Sequence, residues 1–545
     1  MTLRARRRLA ALVTAGACVH AAAQPGPGPG PAEEAPGPGP AAPVVAQIAA
    51  PPAAPAPAAA PALAPARGGL VRGEGLLMLD YQKIPVAGEP AIDLLGFHLL
   101  NRVSEGVYLG VGAFAPLLRG DYGGFMAFDA TAHLQRRLAG RLFGVAGVAA
   151  GGGGGGRSVA QSRELSGTGG FAKVYAGLGW DFDDVAVGLN VSRLRFQRSA
   201  IDHSQLNLFV QWSFDHRTGA YEDAGQPLGP GEGPAWAEAR GENTLALGLD
   251  NLFQRRPTGS RKDTIRMADL QFAHYLARDT YWYVALGVGY HGLPLYNQLI
   301  GGLGQRWRLS ERWQLHAQLG VGSGGYAPDS IDTGSGLLVY PKLSAEFALT
   351  RRLGLALSAG ALVAPRGSSR NATLGAALNY RIQSGEPAGG ADGGGPVELK
   401  GIRFALFHQS AFDVRYKGLD RSGLRLLSVQ VDQLLGPHLY LPVQAAVATN
   451  AYLGYPGYGE LMAGLGWQTR HVRGDRLQAH AQLLAGTNVH GAIVKAGLGL
   501  DIALGERLAL QLNAGHTVAP RARDGRFRSS TLGVGLAYRF SVPSG

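Results

Sequence analysis

The chain has 545 residues, of which 83 are Gly and 32 are Pro, together about a fifth of the total, against about 12% in ordinary globular proteins. A single Cys excludes intrachain disulfides and multi-Cys zinc or iron–sulfur sites. With 46% apolar residues, 17% charged residues and a mean hydropathy of +0.00, the composition does not match several compact soluble cores.

Residues 1–23 read as a secretory signal. Arg4, Arg6, Arg7 and Arg8 precede an apolar run from Leu9 to Val19, and Ala21-Ala22-Ala23 supplies the small residues of a cleavage site. The one cysteine, Cys18, follows Ala15-Gly16-Ala17, a loose likeness to a lipoprotein cleavage site in which Ala15 stands where Leu or Val is usual. Residues 24–67 are almost only Pro, Ala and Gly. Such a segment cannot bury enough surface to fold and is expected to be an extended tether, reaching on the order of 130 Å at about 3.1 Å per residue. A periplasmic docking role for this tether is one expectation and a plain spacer the other. Beyond the signal no stretch of about 18 unbroken apolar residues follows, so no transmembrane helix is expected.

Self-comparison organises the rest. Val363-Ala364-Pro365-Arg366 followed by Thr373-Leu374-Gly375-Ala376-Ala377-Leu378-Asn379-Tyr380-Arg381 returns as Val518-Ala519-Pro520-Arg521 followed by Thr531-Leu532-Gly533-Val534-Gly535-Leu536-Ala537-Tyr538-Arg539. His316-Ala317-Gln318-Leu319 matches His480-Ala481-Gln482-Leu483, and a diverged copy ends at Phe214. Three units result, 73–214, 241–382 and 400–540, joined by Gly-, Pro- and acid-rich linkers at 215–240 and 383–399.

Within a unit the period is two. Leu532, Val534, Leu536, Tyr538 and Phe540 alternate with Gly533, Gly535, Ala537 and Arg539, a strand with one greasy and one small or polar face. The first unit yields eight such segments, near 74–81, 92–101, 107–115, 123–135, 141–150, 170–182, 184–197 and 205–214. Short charged turns such as Leu309-Ser310-Glu311-Arg312 alternate with longer Gly-rich loops such as Ala150 to Gly169. An Arg at the bilayer midplane costs about 2–4 kcal/mol, so the greasy parity must face lipid and the polar parity the lumen. The fold class expected is all-β: a transmembrane antiparallel meander barrel of about 24 strands, as three eight-stranded barrels rather than one wide one. Each unit carries its own closing-type strand, and the linkers are too long for periplasmic turns.

Leu532, Gly533, Leu536, Tyr538 and Phe540 resemble the closing strand of bacterial outer-membrane β-barrel proteins, in which such a strand is the assembly signal. The resemblance implies a cell outer membrane location in a Gram-negative bacterium, with the tether in the periplasm, and the barrel assembly machinery as a partner. It covers all three units and speaks to fold and compartment, not to activity. Ser541 to Gly545 follow Phe540, a departure from the usual signal.

One lysine recurs at the start of the sixth strand of each unit, as Lys173, Lys342 and Lys495. With Arg381 and Arg539 it falls on the lumen parity, where it either joins an interior salt-bridge network or sets selectivity in a water-filled lumen. In size the units resemble outer-membrane lipid A deacylases, a resemblance that implies a His and Ser two residues apart on one strand face, together with an acid. His516 is instead followed by Thr517-Val518, and His203-Ser204 are adjacent, so the triad is incomplete. Loop cations, Arg255, Arg256, Arg261 and Lys262 in one loop and Arg521, Arg523, Arg526 and Arg528 in another, suit lipopolysaccharide phosphates or solvent. The formal charge of +12 is spread over loops and turns and forms no basic stripe with stacking aromatics, so no nucleic-acid partner is expected. No cofactor or metal is expected either. The sequence thus points to a non-enzymatic membrane scaffold contacting outer-membrane lipids and lipopolysaccharide, with a wide pore for diffusion or export as the alternative.

Overall fold

The computed structural model describes residues 69–544 except 87, 159–164, 166, 184, 229–242, 256, 258–261, 277, 294–295, 326–330, 351–352, 384–397, 418, 421–422, 471–474 and 520–526. The signal, the tether, residues 229–240 of the first linker and most of the second linker lie outside the described residues.

The first barrel runs through β1 (Val71–Val86), β2 (Glu89–Ser104), β3 (Val107–Pro116), β4 (Met126–Ala139), β5 (Leu142–Gly154), β6 (Gly170–Asp181), β7 (Val185–Phe196) and β8 (Asp202–Thr218). It closes where Leu77 pairs with Trp212 in an antiparallel β1–β8 ladder. The second comprises β9 (Asn243–Gln254), β10 (Ile265–Tyr275), β11 (Thr280–His291), β12 (Asn297–Arg308), β13 (Trp313–Gly324), β14 (Leu337–Ala348), β15 (Leu353–Val363) and β16 (Arg370–Gln383), closed by β16 on β9. The third comprises β17 (Glu398–Tyr416), a short hairpin arm β18 (Leu419–Asp420), β19 (Leu424–Leu434), β20 (Leu439–Ala448), β21 (Gly459–Gln468), β22 (Leu477–Asn488), β23 (Gly491–Ala503), β24 (Leu508–Ala519) and β25 (Phe527–Ser544). Pairing of β17 with β25 from Glu398↔Ser544 to Tyr416↔Phe527 closes it. Strand order is sequential throughout, so the units form three separate eight-stranded meanders and the single wide barrel is overturned.

The outward parity is apolar as the alternation requires. Leu206, Leu357, Leu483, Leu498 and Leu532 each keep more than half of their surface exposed, which a water-facing β-sandwich would not tolerate over whole sheets. At the short-turn end stand exposed Trp180, Phe182, Trp307, Trp313 and Trp467, the aromatic girdle of a membrane interface. Phe214 and Phe540 share the outward parity but are buried. Phe214 lies across Gly75, its direct ladder partner.

Inside, aromatic rings lie flat on glycines of the adjacent strand: Tyr175 on Gly147, Phe143 on Gly179, Tyr281 on Gly304 and Tyr440 on Gly466. Each pair is in direct register. A Cβ at any of these glycines would overlap the ring. Much of the Gly excess is therefore packing space for lumen aromatics.

Strands run past the span seen in the alternation; β1 and β2 have 16 residues and β8 has 17, where about 9–11 tilted residues cross a bilayer. The extra length carries the loops into contact. Between the first two barrels Gly123 N donates to Gly334 O at 2.7 Å, Ser323 Oγ to Pro116 O at 2.7 Å and Ser335 Oγ to Leu117 O at 2.8 Å. Thr487 Oγ1 donates to Gly289 O at 3.4 Å between the third and second. At the opposite end the segment leaving β8 crosses to the third barrel: Gly219 N donates to Ser541 O at 2.9 Å, and Leu399 N to Gln226 O at 2.9 Å.

Candidate functional site: barrel interiors and outer rim

The recurring lysines reach the lumen. Lys173 and Lys495 are almost fully buried, and Lys342 lines an interior cavity. Period-two alternation puts each on the inner face, but sequence separation hides its partners. Lys173 pairs with Asp80 on β1, 93 residues away, and its ammonium lies 5.0 Å from the Phe114 ring and 5.3 Å from that of Tyr175. His98 bridges Asp80 at 3.6 Å and Asp129 at 3.5 Å. In the second barrel Asp250 stands on β9 as Asp80 does on β1, and accepts a hydrogen bond from Tyr340 at 3.0 Å. In the third, Gln409 accepts from Lys495 at 3.1 Å and Glu460 is the carboxylate, at 4.0 Å. The lysine persists while its acid moves between strands.

Arg381 pairs with Glu346, which also accepts from Asn379 at 2.6 Å and faces His316 at 3.5 Å. Arg539 is buried, its guanidinium 5.8 Å from the ring of Tyr221. The dominant ion cluster of the third barrel went unseen in the sequence: Arg403 on β17 meets Asp432 at 2.6 Å and Asp501 at 3.0 Å, with the Tyr440 ring at 4.9 Å. Its signal was a lone Arg on the inner parity of a first strand. Lys173, Arg381, Arg403 and Lys495 find carboxylate partners inside the barrels, as a low-dielectric interior demands, while Lys342 and Arg539 lie over the rings of Tyr340 and Tyr221. The second barrel keeps a cavity of about 70 Å³ among Asp250, Asp269, Lys342, His316 and Glu346, room for a few waters.

On the outer side Arg255 and Lys262 are exposed, and Arg528 on β25 faces Asp413 at 3.9 Å. Arg256, Arg261, Arg521, Arg523 and Arg526 lie outside the described residues. Leu532 and Leu536 face outward, Asn513 of the adjacent strand packs over Gly533, its ladder partner, and the Tyr538 and Phe540 rings lie tilted to each other with centroids 5.6 Å apart. The residues after Phe540 continue the ladder, Ser541 opposite Gly401 and Val542 opposite Lys400. The histidine without a nucleophile finds one across strands: His516 Nδ1 lies 3.0 Å from Ser530 Oγ on the lipid side. Among the described residues no carboxylate hydrogen-bonds His516. No cluster of metal-ligating side chains occurs among the described residues, and no described helix is long and apolar enough to cross a membrane.

Apolar exterior, aromatic girdle and polar, closed interiors together define a transmembrane β-barrel protein. No family model matches the chain, and no curated protein is detectably similar in sequence. Among solved structures it is similar to Neisserial surface protein A, at 10% identity over 26% of this chain and 96% of that one, with a TM-score of 0.21. It is similar also to the Pseudomonas aeruginosa protein OpdQ, at 9% identity over 87% and 98% with a TM-score of 0.19, and to the P. aeruginosa ferric enterobactin receptor, at 13% over 88% and 82% with a TM-score of 0.26.

Proposed function

We propose that this chain is an integral outer-membrane protein of a Gram-negative bacterium that acts without enzymatic turnover, as a scaffold displaying a joined platform of loops. The observation that carries this reading is that each lumen is occupied by its own ion pairs and aromatics while the long loops of neighbouring barrels bond to one another. A protein built to pass solutes keeps an open lumen; one built to present a surface fills it. Both ends of every unit lie on the short-turn side, as an even strand number dictates, so the Pro/Ala tether enters from the periplasm in the usual orientation. There it is free to reach a periplasmic partner, and the closing strand is the feature offered to the barrel assembly machinery. The deciding experiment reconstitutes the full chain in planar bilayers. No stepwise current is expected; a stable current altered by Lys342→Glu overturns the scaffold in favour of a pore through the second barrel.

A further inference from the structure

We propose that the seam between the first two barrels holds a binding cleft for the phosphates of a membrane-lipid headgroup. The cleft, about 610 Å³, is lined by Tyr81, Lys83, Leu118 and Arg119 of the first barrel and Arg366 of the second. None of these is among the loop cations that the sequence singles out.

Height in the membrane follows from strand parity. Leu79, Tyr81 and Lys83 are consecutive outward residues of β1 and rise toward the long-loop end. Each step of two residues climbs about 6.6 Å along the strand. A Tyr above a Leu marks the interface, where phenol rings sit at headgroup depth, and Lys83 stands one step above it. Arg119 comes from the β3–β4 loop and lies beside the Tyr81 hydroxyl. Arg366 comes from the β15–β16 loop of the neighbouring barrel.

Charge balance leaves the cleft positive. Asp93 sits opposite Lys83 in the ladder, but is fully buried and already satisfied: Leu118 N donates to it at 3.0 Å, Arg119 N at 2.8 Å and the Tyr81 hydroxyl at 3.1 Å. Glu89 faces Arg157 at 3.3 Å. Asp332 is taken up by Ser158, Gly334 and Ser368, and Asp121, in the same seam, lies near Arg157. Among the described residues no carboxylate lies within ion-pair distance of Lys83, Arg119 or Arg366. Two guanidinium forks and an ammonium around one opening suit a phosphate monoester. Exposed Leu118 and Pro90 offer an apolar rim for the rest of the lipid. The Gly123–Gly334 and Ser158–Asp332 bonds fix Arg366 relative to the other two cations, so little ordering remains to be done on binding.

The proposal rests on the outer-membrane reading, and its test is separable from the conductance test. The full chain in phosphatidylcholine nanodiscs is titrated with diphosphoryl lipid A, with the same lipid after dephosphorylation, and with inorganic phosphate. The wild-type chain is expected to bind diphosphoryl lipid A at least about tenfold more tightly than the dephosphorylated lipid, a difference of about 1.4 kcal/mol. Lys83→Gln/Arg119→Gln/Arg366→Gln abolishes that preference, and Arg255→Gln/Lys262→Gln retains it. Equal binding of the two lipids by the wild-type chain, or a preference that survives the triple substitution, overturns the cleft. Inorganic phosphate bound as tightly as lipid A overturns the headgroup and makes this a free-anion site. Bilayer currents are recorded without lipid A, so either reading can fail alone.

Discussion

The hydroxyl of Tyr221, three residues beyond the first barrel, lies 3.4 Å from the side-chain oxygen of Gln468, deep at the short-turn end of the third barrel. Tyr221 is only 3% exposed, and Arg539 of the closing strand approaches its ring. The linker between the first and second barrels thus stoppers the third. Arg507 adds a bond from its guanidinium to Thr218 Oγ1 at 3.0 Å. The first barrel is therefore bonded to the second through their loops at one end and latched to the third through this segment at the other.

That latch predicts a local phenotype. Tyr221→Ala removes a buried ring and leaves Gln468 and Arg539 facing a void, at a cost of about 3–5 kcal/mol for a buried aromatic. The third barrel should remain closed, because its β17–β25 ladder does not involve Tyr221. Limited proteolysis of the folded chain should cut between 219 and 228 many times faster than in wild type. Unchanged cleavage would show that the stopper is dispensable.

Parity was legible in the sequence; partnership was not. The alternation of Leu532, Val534 and Leu536 with Gly533 and Gly535 names the lipid face, and the repeat of Tyr380-Arg381 in Tyr538-Arg539 marks the ends of two closing strands. The ladder places them as expected. Lys173 was legible as an inward charge, but its partner Asp80 lies on the far strand and meets it only after the barrel has closed. Arg403 with Asp432 and Asp501 spans three strands, and His516 with Ser530 spans two. Local pattern has no access to such contacts. Phe214 and Phe540 fail the parity rule because neighbouring structure covers them at the strand ends, where the bilayer no longer sets the solvent.

The Arg403 cluster makes an asymmetric prediction. Arg403→Met leaves Asp432 and Asp501 as uncompensated buried carboxylates and should destabilise the third barrel by about 3–5 kcal/mol. Arg403→Met/Asp432→Asn/Asp501→Asn removes both charges along with their partner and should recover most of that loss. Urea unfolding of the refolded chain in detergent micelles, followed by Trp467 fluorescence, reads both variants. A triple variant no better than the single one would mean that Arg403 matters through packing on Tyr440, not through charge.

The ring-on-glycine pairs predict sensitivity at residues that carry no side chain. Gly466→Ala puts a methyl into the Tyr440 ring and Gly304→Ala into that of Tyr281. The strand backbone at both positions accepts Ala, so the penalty is one of packing, about 1–3 kcal/mol for an overfilled core. Tyr440→Leu in the Gly466→Ala background should return part of it. Gly505, in a turn where a Cβ meets nothing, is the control. Heat-modified gel mobility of the refolded variants measures the order Gly466→Ala below Gly505→Ala, and equal midpoints would refute the packing role.

The seam between the first two barrels depends on Asp332, whose carboxylate accepts from Ser158 Oγ, Gly334 N and Ser368 N, each at 2.9 Å. Burial alone pushes its pKa up, but the bonds from Ser368, Ser158 and Gly334 outweigh it and hold the group below its ordinary 3.8. Asp121 goes the other way, raised by burial and then by the charge of Asp332. As pH falls Asp121 therefore takes its proton first, which relieves repulsion across the seam. A folded-state pKa below the unfolded one means that Asp332 stabilises fully above about pH 4, with the contribution fading as pH drops through the folded value. Hydrogen-exchange protection of residues 117–125 and 331–336, taken relative to the intrinsic rate at each pH, should thus stay high from pH 7 to about pH 5 and fall below about pH 4. Asp332→Asn should show the faster exchange already at pH 7, having lost charge-assisted bonds worth about 1.5–3 kcal/mol each at most. Exchange in the third barrel's loop at 449–458, which Asp332 does not touch, should be the same in both proteins; an equal change there would assign the effect to global loosening instead of to the seam.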